Sequence, residues 1–142
     1  MSIAYLELTR MLPAGDVVVI QPNHPIVFDT VTASGGLGAQ IDYDMTTGTI
    51  TFLDAGIYCI DWFVAPQFGL TTDGSNWAIE TSISGLRIIC SSHTKVSVTA
   101  GFALIDAAAG ETAQLVNVSS GALYLSQAVQ SKAGLVAYRT GG

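Results

Sequence analysis

Apolar residues recur at every second position in short runs along most of the chain, and each run is closed by Gly, Asn, Asp or Ser. Period-two alternation puts successive side chains on opposite faces of a strand. The clearest run is Val96-Ser97-Val98-Thr99-Ala100-Gly101-Phe102-Ala103-Leu104, which sets Val96, Val98, Ala100, Phe102 and Leu104 on one face and Ser97, Thr99 and Gly101 on the other. A strand with one wet side is the expectation there. Further strands are expected at 16–20, 25–31, 39–43, 48–53, 56–65, 77–83, 86–91, 112–118, 121–127 and 133–139. Turn chemistry separates them at Asn23-His24-Pro25, Ser34-Gly35-Gly36, Asp44 to Gly48, Asp54-Ala55-Gly56, Asp73-Gly74-Ser75 and Ser119-Ser120-Gly121. Around ten short strands, dense punctuation and no long 3.6-period stripe predict an all-β sandwich or jelly roll with few or no helices.

Two runs break the alternation. In Ile57-Tyr58-Cys59-Ile60-Asp61-Trp62-Phe63-Val64, one face carries Tyr58, Ile60, Trp62 and Val64, and the other carries Ile57, Cys59 and Phe63 with Asp61 as its one polar member. Likewise Leu135 and Ala137 are opposed by Val136 and Tyr138. An antiparallel strand that is apolar on both sides needs cover on both sides, and a second sheet covers only one. A second copy of the chain is the economical cover; the alternative is a helix or long loop folded over the sheet. Ile57, Cys59, Phe63, Val136 and Tyr138 are therefore the candidate interface residues, with Tyr58, Trp62 and Leu135 taking that role if the strand phase is off by one. Composition asks for the same cover. At 142 residues the chain suits one domain, yet 49% of its residues are apolar and 11% charged, against roughly 25% charged in ordinary soluble domains.

Five basic residues against 11 acidic ones give a net charge of −6 with no basic cluster. Nucleic-acid binding and attachment to an anionic membrane both need grouped Lys and Arg, so both are disfavoured. Thr112 to Ser131 is uncharged, but Gln114, Asn117, Ser119, Ser120, Ser126, Gln127 and Gln130 interrupt it, which reads as soluble strands rather than membrane insertion. The first residues, with Glu7 before Arg10 and no long apolar run, do not read as a secretory leader.

Order and spacing at Pro25-Ile26-Val27-Phe28-Asp29-Thr30-Val31, at Tyr43-Asp44 before Thr47-Gly48-Thr49-Ile50-Thr51-Phe52, and at Ala55-Gly56-Ile57-Tyr58 resemble the complement C1q-like domain. That family reads P-I-x-F-D-x-V, Y-D-x-x-T-G-x-F and P-G-x-Y, and Gly134-Leu135-Val136-Ala137-Tyr138 is similar to its closing G-F-L-L-Y strand. Phe28, Asp29, Gly48, Gly56, Tyr58 and Gly134 are the motif positions. The resemblance covers about residues 16–139, a span of the size of one domain. Residues 1–15 are read as an N-terminal strand or lead-in segment and 16–142 as the C1q-like jelly roll, a single globular domain together. Within this family the sequence looks most like the C-terminal heads of bacterial collagen-like spore-surface (exosporium) glycoproteins, which share F-D-T-V, T-G-T-x-T-F, a strand like Trp62-Phe63-Val64-Ala65 and a segment like Gln114-Leu115-Val116-Asn117-Val118-Ser119. Ala55 stands in place of the usual Pro, Leu135 in place of the usual Phe, and residues 1–142 contain no Gly-X-Y repeat. The resemblance implies a ten-stranded antiparallel jelly roll of the C1q/TNF type, assembled as a homotrimer outside the cell on a spore or cell surface, with a host or environmental receptor as a further partner. A receptor- or carbohydrate-binding module such as a phage fibre head is the alternative.

Chemistry is sparse. No G-x-S-x-G elbow is present, His24 and His93 sit in turn-like contexts, and Cys90 is only three residues from His93, so no enzyme and no catalytic residue is predicted. No His or Cys spacing fits zinc, and Gly35-Gly36-Leu37-Gly38 is not a dinucleotide fingerprint. No cofactor is assigned. Asp42 and Asp44 share one strand face beside a turn, which makes them the calcium candidates; the alternative is that Asp44 caps backbone N–H groups of the loop to Gly48, and some C1q-like heads hold calcium. Asp61 is either hydrogen-bonded or protonated on an inter-subunit face, or an exposed strand end. Cys59 and Cys90 read as small buried hydrophobes, with a single bridge as the alternative, on strands of different sheets. Asn117-Val118-Ser119 fits the glycosylation pattern by chance. Phe68, Trp77 and Tyr124 are candidates for a ligand-facing aromatic patch, with Trp77 better suited to the core.

Overall fold

The computed structural model describes residues 3–13, 15–36 and 41–141. Within them the chain forms thirteen strands and no helix: β1 (Tyr5–Arg10), β2 (Val18–Ile20), β3 (Thr30–Gly35), β4 (Ile41–Asp44), β5 (Thr49–Phe52), β6 (Gly56–Val64), β7 (Pro66–Gly69), β8 (Ser75–Thr81), β9 (Arg87–Ser92), β10 (Thr99–Ala107), β11 (Glu111–Asn117), β12 (Leu123–Leu125) and β13 (Ala133–Gly141). Two five-stranded antiparallel sheets, ordered β3-β1-β13-β6-β10 and β4-β5-β11-β8-β9, enclose the core, and a three-stranded sheet β2-β12-β7 adds to it. The two large sheets thus supply the ten strands of the expected jelly roll.

β1 lies within residues 1–15, read as a strand or lead-in segment, and pairs with β13 on one edge and β3 on the other; β7, which pairs with β12, was not expected. In the opposite sense, the strand expected at 25–31 is mostly an extended segment. It makes one isolated bridge, Pro25 to Val116, before pairing resumes at Thr30. The chain there passes from one sheet to the other: the Ile26 amide donates to the Leu115 carbonyl of β11 at 2.8 Å, and the Asp29 amide to the Thr9 carbonyl of β1 at 3.1 Å. Leu37 and Gly38 of the glycine-rich run, and the first two residues of the strand expected at 39–43, lie outside the described residues.

Alternation in β6 and β13 places the core as the sequence suggests. Tyr58, Ile60, Trp62, Val64, Leu135 and Ala137 point inward, meeting Phe52, Trp77, Ile79 and Leu115 of the second sheet. β10 reverses its expected phase. Thr99, Ala103, Ile105 and Ala107 are buried, whereas Ala100, Phe102 and Leu104 face outward. The reason is volume. The inward position at Gly101 lies beside the bulky Trp62, and a Cβ there would come within 2.5 Å of the Trp62 ring and 2.6 Å of Cys90. Only small residues fit such a position. Thr99 is accommodated because its hydroxyl donates to Ser75 Oγ at 3.2 Å, the same oxygen that accepts Trp77 Nε1–H at 2.8 Å.

Most family-motif positions serve the frame. Asp29 ties the 25–31 segment to the end of β1: its carboxylate accepts the amides of Met11 and Leu12 and the Thr30 hydroxyl, and Arg10 Nε lies 3.5 Å away. Burial works against that charge, but these donors together hold the Asp29 carboxyl below its usual range. Phe28 is buried, its ring 6.4 Å from Tyr43, and its carbonyl accepts the Tyr43 hydroxyl at 2.8 Å. Burial pushes that phenol up to about 12. Gly48 sits at φ +75°, where a Cβ would meet the Ile26 carbonyl at 2.7 Å. Tyr58 packs against Phe52 at 4.3 Å and donates to the Asp54 carbonyl.

Candidate functional site

The outward faces of β10, β6, β13 and β1 form one continuous surface. Register fixes its rows. Leu104, Cys59, Tyr138 and Tyr5 lie side by side across the four strands; the next row is Phe102, Asp61, Val136 and Glu7; the next is Ala100, Phe63, Gly134 and Thr9. Ile57 lies one step beyond Cys59, beside Asp106. The five residues singled out in the sequence, Ile57, Cys59, Phe63, Val136 and Tyr138, therefore share this face.

The rows also contain members that the sequence reading assigned to the core. Phe102 is 71% exposed and Leu104 62%, and Val98 just before β10 is 63% exposed. Tyr5 on β1 adds another exposed ring. No helix or loop among the described residues covers Phe102 and Leu104, so the alternative of an intramolecular cover is set aside. A signal for them existed: Ala103 and Ile105 make the other face of β10 apolar too, the same doubly apolar pattern as β6 and β13.

Within this face Gly134 forms a hollow. A Cβ there would lie 2.4 Å from the Phe63 ring, so the ring rests over the glycine backbone. The depression beside it has a volume of about 400 Å³ and is bounded by Glu7, Thr9, Asp61, Phe63 and Val136. Asp61 is exposed in mid-strand rather than at a strand end. The Glu7 carboxylate accepts the Thr32 hydroxyl at 2.6 Å. Tyr138 pairs with Cys59 across the sheet, and the proximity of that side chain first, and of Asp61 after it, holds the Tyr138 hydroxyl above its usual range.

The other candidate residues are dispersed. Asp44 caps its turn, accepting the Thr46 amide at 2.8 Å while its carbonyl takes the Gly48 amide at 2.9 Å; the Thr46 amide is the main reason its carboxyl titrates low. Asp42 is exposed on the same strand. Among the described residues no three His, Cys, Asp or Glu side chains cluster as metal ligands would. Both thiols are free, Cys59 on β6 and Cys90 on β9 of the opposite sheet. Cys90 packs inward against the core, whereas His93 is exposed and His24 Nδ1 lies 3.0 Å from the Pro22 carbonyl. Asn117 is wholly buried, its side chain bonded to the Ile20 and Gly121 carbonyls and the Ser119 amide, which removes it as a glycan acceptor. Trp77 is in the core. Phe68 and Tyr124 stack at 4.2 Å on the outside of the three-stranded sheet, and a depression near residues 66–76 is lined by Thr71, Thr72, Gly74 and residues 93–96, with no Phe, Tyr or Trp among them.

Sequence comparison finds no matching family model and no matching curated protein. Solved structures do match over nearly the whole chain. The globular domain of zebrafish complement 1qA protein aligns with a TM-score of 0.70 at 13% identity, covering 97% of this chain and 99% of that one. Eiger TNF from S. frugiperda aligns at 0.68 with 11% identity, covering 99% and 94%. PRD1 vertex protein P5 aligns at 0.61 with 17% identity, covering 96% of each. The chain is thus an all-β jelly roll with the fold seen in complement 1q and TNF heads.

Proposed function

We propose that the chain is a non-enzymatic, trimerising head domain that is displayed outside the cell. The observation that carries this reading is the outward face of β10, β6 and β13, where Phe102, Leu104, Cys59, Phe63, Val136 and Tyr138 form a contiguous apolar surface with one carboxylate, Asp61, in its middle. Contiguous patches of this kind on a soluble domain mark interaction surfaces. Burying a side chain such as Phe102 or Leu104 is worth roughly 1.5–3 kcal/mol, and several per subunit make a stable assembly. Three copies, rather than two, follow the sequence resemblance to C1q-like heads. The finer placement, at the tip of a collagen-like filament on a bacterial spore or cell surface, rests on the F-D-T-V, T-G-T-x-T-F and Trp62-Phe63-Val64-Ala65 segments. Assembly would register an attached stalk and present an outer surface rich in Ser and Thr to the environment or a host receptor. Asp42 and Asp44 remain the residues to examine for calcium. Among the described residues no helix is long and apolar enough to cross a membrane.

Light scattering of the purified domain tests the assembly. A trimer mass at micromolar concentration is expected, and Phe63→Glu or Phe102→Glu is expected to give folded monomer. A wild-type monomer, or a trimer indifferent to both substitutions, would overturn the reading. The stacked pair of exposed Phe68 and half-buried Tyr124 favours a second reading, a carbohydrate-binding module whose trimer presents that sheet. Glycan binding abolished by Phe68→Ala in an intact trimer would establish it.

A further inference from the structure

The chain has five basic side chains, and four are engaged within the fold. Arg10 pairs with Asp29 and Arg87 with Glu80. Arg139 donates to the Ala55 carbonyl at 2.9 Å, and the buried Lys132 donates to the Ser126 carbonyl at 2.7 Å. Lys95 makes no such contact among the described residues. It sits in the exposed 93–98 loop, followed by Val96 at 59% exposure and Val98 at 63%. That loop leads into β10 at the end where Ala100 pairs with Phe63.

The Gly134 hollow lies at the same end of the sheet, where Gly134 also pairs with Phe63. Its walls combine the apolar surfaces of Phe63 and Val136 with two carboxylates, Glu7 and Asp61, neither of which has a cationic partner among the described residues. Closing this hollow under an uncharged apolar surface would strand Asp61, which is costly. Its occupant should bring a cation flanked by apolar groups.

We propose, on the assembly reading above, that the Lys95-Val96 segment of one copy seats in the Gly134 hollow of the next, with the ammonium between Asp61 and Glu7 and the valine against Phe63 and Val136. Loop and hollow are different patches, so each copy gives one and receives one. Such head-to-tail contacts close into a ring when the rotation permits. The glycine at 134 then has a reason beyond strand packing: a side chain there would lift the Phe63 ring and fill the receiving space.

Zero-length carbodiimide coupling of a mixture of ¹⁴N- and ¹⁵N-labelled protein tests this without altering a residue. Mass spectrometry is expected to find Lys95 joined to Asp61 or Glu7 between differently labelled copies. Lys95→Glu is expected to weaken assembly at least tenfold while leaving the fold's melting intact, because Lys95 makes no hydrogen bond or ion pair within its own copy among the described residues, and Asp61→Lys in the same chain is expected to restore it. A trimer that yields no such inter-copy link and is unchanged by Lys95→Glu would overturn the seating while leaving the assembly reading intact. A wild-type protein that is monomeric would remove both.

Discussion

Glu111 carries more of the fold than its place in the sequence suggests. It opens β11, is wholly buried, and meets no basic side chain; its carboxylate accepts the amides of Ile83 at 2.6 Å and Ser84 at 2.8 Å, the Ser84 hydroxyl at 2.8 Å and the Ala108 amide at 3.3 Å. One side chain thereby holds both the β8–β9 turn and the β10–β11 turn. Burial alone would raise its pKa, but the Ser84, Ala108 and Ile83 donors outweigh it and hold the carboxyl below 4.5. The unfolded state then binds the proton more tightly, so this carboxylate stabilises the fold above pH 4.5 and the contribution fades as pH falls through the lower folded value. Glu111→Ala strands three turn amides, those of Ile83, Ser84 and Ala108, and is expected to cost about 3 kcal/mol at neutral pH, read as a shift in the urea midpoint. The gap between wild type and the alanine variant should narrow on acidification below pH 4.5. A gap that widens in acid would show that the charge is not what these amides bind. Nothing in the local sequence announces this role, because its donors come from residues 83, 84 and 108.

Elements were legible where both faces of a strand could be read against fixed neighbours. β6 and β13 show this: their inward residues are large and close to the second sheet, and their outward residues are apolar enough to stand out. β10 was legible as a strand but not in phase. Alternation in Val96 to Leu104 is genuine, yet the larger apolar set faces outward and the small set faces the core. Hydrophobicity alone cannot choose between two apolar faces; the volume left beside Trp62 and Cys90 does. Gly101 makes the constraint testable. Its Cβ position lies within 2.6 Å of both the Trp62 ring and Cys90, so Gly101→Val is expected to destabilise the domain by about 1–3 kcal/mol through overpacking. Phe102→Ser, one position on and facing outward, should leave stability nearly unchanged when both substitutions are made in the Phe63→Glu background, where assembly no longer contributes. Calorimetry on both variants distinguishes the faces, and the reverse order of effects would restore the original phase. The 25–31 segment is not a strand for a different reason: it crosses from β11 of one sheet, at Pro25 and Ile26, to β1 of the other, at Asp29 and Thr30.

At the scale of the molecule, the residues that identify the fold and the residues that would join copies are largely different sets. Phe28, Asp29, Gly48, Gly56 and Tyr58 fix turns and core, whereas Ile57, Cys59, Phe63, Phe102, Leu104, Val136 and Tyr138 face outward on one sheet. Gly134 belongs to both, as a motif position that lies under an outward ring. Part of the surplus apolar surface of a chain with only 11% charged residues lies on this one face, Phe102 and Leu104 above all, while Leu12, Leu70, Ile83 and Ile89 are exposed elsewhere. If that face is closed by other copies, unfolding must be preceded by or coupled to dissociation, and mass action links stability to protein concentration. The melting temperature is therefore expected to rise with concentration from the submicromolar to the hundred-micromolar range. In Phe63→Glu, which places a charge where the face closes, it should become independent of concentration. Differential scanning fluorimetry across a dilution series measures both, and a wild-type midpoint that stays fixed across the series while the protein remains folded would show that the face is exposed in solution and its apolar side chains serve some other partner.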